Sequence, residues 1–395
     1  MIKRLFITSA LALCSMLVVT SVAAAPQLGM RTATQVSKAY ELEQDDKLNQ
    51  AITLLEGIKP SANYDKAYVA RMLGIYYWQA ELPEKAIKQL QIAVNTNAFE
   101  DEQDWQTERM LAELLLSKDK PEQALVHLDK LTQSAEANNI SKEQITGVWL
   151  NKARAHYLLQ QWKPLLAAIN HYHQLDATPK LQPLTLQLTA ELQLKRLKSG
   201  ILTTQKLLAL QPDNLMWWQQ LSSLYMQTKQ YKLALATLVS AERAGLELPE
   251  NLQVSKAQLY SQQGVPEKAA QSYANLQVEA SDINTIIKQA RHWQMAREWS
   301  NAQKAWLAAA RLNGKYYEEV ARLELQQGDF KQALNSLNKV TGINKQEKLL
   351  LQVRAYVGLK DYAKATDVAQ AAHREKPTTQ TADWLQYLEQ MSQSR

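Results

Sequence analysis

Arginines recur at equivalent places in aligned segments of this sequence. Arg291, Arg322 and Arg354 occupy the same place in three consecutive C-terminal segments, and Arg71 and Arg109 form a second set nearer the N-terminus. A guanidinium group carries planar, paired N–H donors that match the two oxygens of a carboxylate. These residues therefore predict binding of acidic side chains, or of a terminal carboxylate, from an extended peptide.

Motifs for catalysis or phosphate binding are missing from the sequence. It has no HExxH, GxSxG, Walker or GxGxxG motif, and its 11 glycines leave little for phosphate-binding loops. Of the six histidines only His171 and His173 are close, and a spacing of two places them on different faces of a helix. Paired carboxylates such as Asp45 and Asp46 fit solvated turns. We therefore predict a protein that is not an enzyme and that needs neither a metal nor a cofactor.

A repeat of about 34 residues organises the chain, and such a period is typical of stacked helix pairs. Eight of ten candidate units carry an alanine at the same place in the second helix, and in seven of these units a large side chain follows four positions later. Gly and Pro are scarce, which suits helices throughout. The aligned alanines are Ala51, Ala86, Ala124, Ala234, Ala269, Ala302, Ala333 and Ala365.

The clearest unit, from Leu215 to Leu248, resembles the tetratricopeptide repeat (TPR). Only its glycine position departs from the TPR pattern, because Ser222 stands there; small residues at Ser222 and Ala234 would let the two helices approach closely. The resemblance implies an all-α, right-handed superhelix of about ten helix-turn-helix units with a C-terminal capping helix. The matching residues are Trp218, Leu221, Tyr225, Ala234, Leu238 and Ala241.

The predicted TPR array covers residues 32–376, and a capping helix and tail occupy residues 377–395. Two units are degenerate, since Leu165 and Gly200 stand in the alanine position. In the capping helix, Trp384 and Leu388 are expected to face inward. Units are predicted to begin near residues 32, 67, 105, 146, 181, 215, 250, 283, 314 and 346.

In the TPR fold the first helix of each unit lines an inner groove. The residue after the small Gly/Ala position points into this groove, which would place Arg291, Arg322 and Arg354 in a ladder with steps of about 10 Å. Trp78 is expected to face the groove rather than the core. Glu318 lies four residues before Arg322, so an internal ion pair is the alternative to partner binding.

The N-terminus predicts export to the periplasm. Lys3 and Arg4 precede an apolar run over residues 5–22, and Ala23–Ala25 form a small-residue cleavage region, so residues 1–25 are typical of a signal peptide. The alternative is an uncleaved inner-membrane anchor facing the periplasm, and only then is membrane contact expected.

The composition expected after cleavage of the signal peptide argues against cysteine chemistry and nucleic-acid binding. Cys14, the only cysteine, lies in the export segment, so the mature chain would have no disulfide and no cysteine nucleophile. Loss of Lys3 and Arg4 lowers the net charge from +6 to +4. So small a surplus over so long a chain does not suggest nucleic-acid binding.

A narrower resemblance rests on Tyr40–Gln44 and on the strong repeat at Met72–Tyr77 in an exported, cysteine-poor chain. This layout is similar to periplasmic TPR proteins described as components of TonB energy-transduction systems. The resemblance implies a scaffold that binds proteins or peptides, with acidic segments of membrane transport components among them. The alternatives are an envelope assembly factor for pili, cytochromes or outer-membrane proteins, and an accessory arm of a cell-wall enzyme.

Overall fold

A computed structural model describes residues 27–135, 140–276 and 282–393. In these ranges the regular secondary structure consists of α-helices and one short 3-10 helix. The predicted export segment lies outside the described residues. Among the residues described, no helix is both long enough and apolar enough to span a bilayer. The chain divides into two compact units, one ending at Lys195 and one beginning at Arg196.

The first unit holds four helix pairs and one further first helix. Pro83 and Pro121 open two of the second helices at their first position, where the missing N–H costs nothing. The helices are α1 (Met30–Gln44), α2 (Leu48–Glu56), α3 (Asn63–Gln79), α4 (Pro83–Asn95), α5 (Asp101–Ser117), α6 (Pro121–Ser134), α7 (Lys142–Leu158), α8 (Trp162–Leu175) and α9 (Leu181–Gln193).

The second unit opens with one second helix, continues with five pairs and ends with a single helix. A short 3-10 turn at Gly314–Tyr316 precedes α17. The helices are α10 (Leu197–Leu210), α11 (Leu215–Gln227), α12 (Tyr231–Arg243), α13 (Glu250–Gln262), α14 (Pro266–Ala274), α15 (Ile283–Met295), α16 (Trp299–Leu312), α17 (Tyr317–Gln327), α18 (Phe330–Lys339), α19 (Lys345–Gly358), α20 (Tyr362–Glu375) and α21 (Thr379–Gln393).

Three first helices begin four residues before the unit starts that the repeat pattern predicts. The pattern marks residues 67, 105 and 146, whereas α3, α5 and α7 begin at residues 63, 101 and 142. Each of these helices has 17 residues. The pattern was aligned on core side chains, and the helices extend one more turn ahead of them.

The repeated alanines lie where the two helices of a pair meet, which confirms the predicted TPR fold. All eight are 0% exposed, and the residue four positions after each is also buried. In the clearest unit the Ser222 hydroxyl donates a hydrogen bond to the Ala234 carbonyl at 3.1 Å, across the contact between α11 and α12. The core is therefore built serially, one pair against the next.

Each turn between the two helices of a pair contains one residue with positive φ. Glycine, which adopts this conformation without a Cβ penalty, fills only two of the ten positions. The ten residues are Asp46, Glu81, Asp119, Gln160, Lys195, Lys229, Gly264, Arg297, Gly328 and Lys360.

Gly74 lies where α3 and α4 approach each other closely. A Cβ there would lie 2.7 Å from Leu90 Cγ and 3.4 Å from the Ala86 carbonyl oxygen. Gly147 in α7 is the matched contrast, because a Cβ added at this position would have no neighbour within 4 Å.

We expect Gly74→Ala to lower the free energy of unfolding by about 1–2 kcal/mol, since overpacking outweighs the gain in helix propensity. Gly147→Ala should instead raise it by up to about 1 kcal/mol. Urea titration followed by circular dichroism checks both variants. Shifts of the same sign would show that Gly74 does not set the distance between α3 and α4.

Glu108 and Glu324, both buried in first helices, have opposite surroundings. Glu108 is 2% exposed and accepts hydrogen bonds from His127 and Lys130. Burial alone raises the pKa of Glu108, but these two partners outweigh it and hold the pKa below its ordinary value. Glu324 is 3% exposed, and its Oε2 atom has no hydrogen-bond partner. Burial raises the pKa of Glu324 despite hydrogen bonds from Ser336 and Gln303.

These shifts predict opposite effects of Glu→Gln variants. The charge on Glu108 stabilises the fold above pH 4.5, and this stability is lost as the pH falls through the lowered pKa. Glu108→Gln should therefore lower the free energy of unfolding at pH 7 by about 1.5–3 kcal/mol. Stability from Glu324 is present below pH 4.5 and is lost as the pH rises through its raised pKa. Glu324→Gln should thus add about 1 kcal/mol at pH 7.

Urea titrations of both variants at pH 4 and pH 7 measure this dependence. The effect of Glu324→Gln should shrink at pH 4, because the raised pKa of Glu324 brings it to the neutral state that Gln imitates. The effect of Glu108→Gln should shrink as the pH falls below 4.5 and disappear only below the lowered pKa of Glu108. A loss of stability in Glu324→Gln at pH 7 would contradict the prediction.

Candidate functional site

The three arginines of the predicted ladder follow fully buried positions on successive first helices. Ala290, Ala321 and Val353 are each 0% exposed, and the arginine comes next in α15, α17 and α19. Arg291 and Arg354 are exposed. In the described ranges of the chain, neither forms an ion pair. Both guanidinium groups are therefore available to an external carboxylate.

Arg322, the middle arginine, is paired within the protein. Its Nη2 atom lies 2.6 Å from Glu318 Oε1, four residues earlier in α17, and also contacts Glu347 of α19. Burial lowers the pKa of Arg322, but the two carboxylates outweigh it, so the pKa stands above its ordinary value. The internal alternative thus holds at Arg322, and Glu347 adds a partner from the following helix pair that was not predicted.

Arg71 in α3 is partly buried beside tyrosines. Its Nε atom is inaccessible to solvent and has no hydrogen-bond acceptor. Burial lowers the pKa of Arg71, and the side chains that act against this shift are Tyr68 and Tyr64. No carboxylate among the described residues pairs with it. A desolvated cation without a counter-ion is costly, so this position favours an external anion.

The two tyrosines beside Arg71 belong to a small aromatic cluster. The rings of Tyr64 and Tyr68 have centroids 6.2 Å apart, and Phe99 meets Tyr64 edge to face at 5.8 Å. The Tyr64 hydroxyl donates to Gln103 Oε1 at 3.2 Å, which joins α3 to α5.

Arg109 occupies the matching place on α5, one pair further along. Its guanidinium lies over the Trp105 ring at 5.8 Å, and its Nε atom is 4.0 Å from Glu113 Oε1, beyond hydrogen-bond distance. Burial raises the pKa of Glu113, whereas Arg109 and Arg154 lower it. One carboxylate thus faces two arginines, and the row formed by Arg71, Arg109 and Arg154 keeps a positive surplus.

Trp78 lies outside the core, as its position in the repeat indicates. Half of its surface is exposed, whereas the preceding Tyr77 is 4% exposed and donates a hydrogen bond to Glu56. A large indole left open to solvent near the end of α3 is suited to contact with another molecule.

Other tryptophans pack in the core, but in the unit from Leu215 to Leu248 the buried tryptophan is not the one that the TPR pattern indicates. Trp293 and Trp306 are buried, but in the motif unit the buried residue is Trp217 rather than Trp218. Trp218 is partly exposed and donates from Nε1 to the Pro212 carbonyl at 2.8 Å. Trp217 was missed because only Trp218 fits the TPR spacing.

The paired histidines have separate roles in the fold. His171 stacks on Trp149 with centroids 4.1 Å apart, and His173 hydrogen-bonds Gln187 at 3.1 Å. The two side chains thus contact different neighbours, in agreement with the expected placement on different faces of a helix. Within the ranges that the structure describes, no three His, Cys, Asp or Glu side chains form a group that could hold a metal ion.

One hydrogen-bonded serine and histidine join α13 to α15 in the second unit. His292 Nδ1 lies 2.6 Å from the Lys288 carbonyl oxygen, and Nε2 lies 2.9 Å from Ser261 Oγ. The carbonyl can only accept, so Nδ1 carries a proton and donates it to this hydrogen bond. The imidazole is oriented by its own helix backbone, and the pair fastens neighbouring first helices.

No protein-family profile matches the chain, and no curated protein matches it. Many solved structures resemble this chain, and three of them show how distant the likeness is. A tetratricopeptide repeat protein from Parabacteroides merdae is 14% identical, with 62% of this chain and 99% of that chain covered and a TM-score of 0.33. YrrB, described as a TPR protein with an unusual peptide-binding site, is 14% identical, with 50% and 98% covered and a TM-score of 0.33.

The third is the structure of Naa15/Naa10 bound to HypK-THB, at 14% identity and a TM-score of 0.45. It covers 82% of this chain, and this chain spans 54% of that one. The TPR fold of this protein rests on its own buried repeat positions rather than on these likenesses.

Proposed function

We propose that this chain is a protein-binding scaffold whose first helices bind extended, acidic segments of partner proteins. The observation that carries the proposal is Arg71, a partly buried guanidinium with an unsatisfied Nε atom and no carboxylate partner among the described residues. Arg109 on the next pair also has a buried Nε atom without a hydrogen-bond partner, although it faces Glu113 at 4.0 Å. A peptide carboxylate would supply the counter-charge that Arg71 lacks and a hydrogen-bond acceptor for both arginines.

The second unit offers a separate surface of the same chemistry. Arg291 and Arg354 are exposed, while Arg322 between them is held by Glu318 and Glu347. An acidic segment would therefore contact the two outer arginines, or would compete with the internal carboxylates for the middle one.

The proposal includes a location and a partner class. The predicted export signal at residues 1–25 supports a periplasmic location, and an inner-membrane anchor that faces the periplasm is the alternative. The resemblance to periplasmic TPR proteins of TonB systems supports an accessory role in TonB-dependent transport. Fusing residues 1–30 to alkaline phosphatase, an enzyme active only after export, tests the location. An inactive fusion would exclude the periplasm and the TonB role with it.

Photo-crosslinking in living cells tests the binding surface. A benzophenone amino acid placed at Trp78 should capture proteins through acidic segments, and the yield should fall when Arg71 and Arg109 are both replaced by Met. The same amino acid at Val126, 67% exposed on the second helix α6, is the control. Equal products at both positions, or products unaffected by the arginine replacements, would refute binding at this surface.

A defined probe tests the charge chemistry directly. A fluorescein-labelled peptide of alternating Glu and Gly should bind the full-length chain more tightly than its Gln counterpart, and the difference should shrink as salt is added. Equal affinity of the two peptides would overturn the proposal.

A further inference from the structure

The last helix, α21, carries Trp384, which packs partly against the terminal core cluster, and Tyr387, which is exposed. Thr381 and Leu388 are buried against α20, as the capping prediction for Leu388 indicated. A terminal cap is expected to present polar residues on its free side. Instead Trp384 is only partly buried and Tyr387 is 40% exposed.

These aromatic residues line an open surface depression of about 430 Å³ between α19 and α21, here named the cap pocket. Residues 380, 383, 384 and 387 follow helical spacing along one stripe of α21, and Val357 forms the wall on α19. The Trp384 and Tyr387 rings meet edge to face with centroids 5.9 Å apart. The lining residues are Val357, Gln380, Asp383, Trp384 and Tyr387.

The volume and lining suit a large apolar side chain. Binding pockets for organic groups begin at about 300 Å³ and combine apolar or aromatic walls with a few polar groups. Aromatic anchors of this kind contribute most of the binding energy in many protein interfaces.

Opposite charges flank the cap pocket. Arg354 precedes Val357 by three residues, so the two share one face of α19. Asp383 lies on the opposite wall, on α21. Both side chains are exposed, and neither forms an ion pair in the described ranges of the chain. An incoming segment would place an acidic residue at Arg354 and its apolar neighbour in the cap pocket.

We propose that the cap pocket binds a large apolar side chain of a partner segment, and that Arg354 binds an acidic residue beside it. This inference rests on the proposed function, because it assigns an anchor to the acidic segment. It defines the partner chemistry more narrowly, as a motif with an aromatic or large aliphatic residue next to Asp or Glu.

Two fluorescein-labelled peptides, Glu-Glu-Phe-Glu-Glu and Glu-Glu-Ser-Glu-Glu, test the inference by fluorescence anisotropy with the full-length chain. The Phe peptide should bind about tenfold more tightly, because a buried Phe side chain leaves water. Tyr387→Ser should abolish that advantage. Tyr157→Ser, which changes a tyrosine of similar exposure (42%) in the first unit, should preserve it.

A second variant, which fills the cap pocket, shows whether the Phe peptide loses its higher affinity because the pocket is blocked or because α21 is destabilised. Gln380→Trp should occupy the cap pocket and also remove the Phe advantage, while circular dichroism shows an unchanged melting temperature. If the Phe advantage survives in both Tyr387→Ser and Gln380→Trp, the cap pocket is not the anchor site.

The two peptides also separate this inference from the proposed function. Binding of the Ser peptide that depends on Arg71, with no gain from Phe, would overturn the cap pocket alone. Failure of both peptides to bind would overturn the proposed function and the cap pocket together.

Discussion

Trp306→Ala is expected to lower the free energy of unfolding of the second unit by about 3–5 kcal/mol. Trp306 is 1% exposed and fills the space beside Ala302, the small residue where α15 and α16 meet. Its ring stacks on Tyr316 at 5.9 Å, and its Nε1 atom donates to Gln294 Oε1 at 3.2 Å. Truncation would leave a cavity and an unpaired amide oxygen. Urea titration followed by circular dichroism measures the loss.

Trp78→Ala is the control, because Trp78 is half exposed and outside the core. Its stability should stay within about 0.5 kcal/mol of the parent chain, as for most surface substitutions. Comparable losses in the two variants would mean that Trp78 is a packing residue and not part of a contact surface.

The helix pairs could be predicted because their contacts repeat. A position that requires a small residue in one unit requires one in the next unit. Eight aligned alanines therefore indicated both the period of the repeat and the face on which the helices pack. Turn conformation could not be predicted in the same way. Eight of the ten positive-φ turn residues are not glycine, and residues such as Lys229 and Arg297 carry no local signal for that conformation.

The binding surface was only partly predictable, because charge pairing depends on the neighbouring unit. Glu318 could be paired with Arg322 from their spacing on one helix. Glu347 could not, since it reaches Arg322 from α19. Burial of Arg71 likewise depends on tertiary packing around Tyr64 and Tyr68. Sequence positions identified the row of arginines, and tertiary contacts decide which of them remain free.

Arg71→Met is expected to make the protein more stable and a weaker binder. Met retains much of the apolar stem and removes a cation that is desolvated without a counter-ion. The free energy of unfolding should therefore rise by about 1–3 kcal/mol. Affinity for the Glu-containing peptide should fall about 10- to 100-fold, which corresponds to the loss of a charge-assisted hydrogen bond. Urea titration and fluorescence anisotropy measure the two effects on one sample.

Opposite changes in stability and affinity distinguish a binding residue from a structural one. A structural arginine would lose stability when replaced, because partners inside the protein would be left unpaired. Arg31→Met, at an exposed arginine of α1, is the matched control and should change neither quantity appreciably. Arg71→Lys should keep the cost of the buried charge but lose the paired donors, so it should bind weakly without gaining stability. A less stable Arg71→Met variant with unchanged affinity would show that Arg71 supports the fold, and the acidic-segment site would have to lie elsewhere.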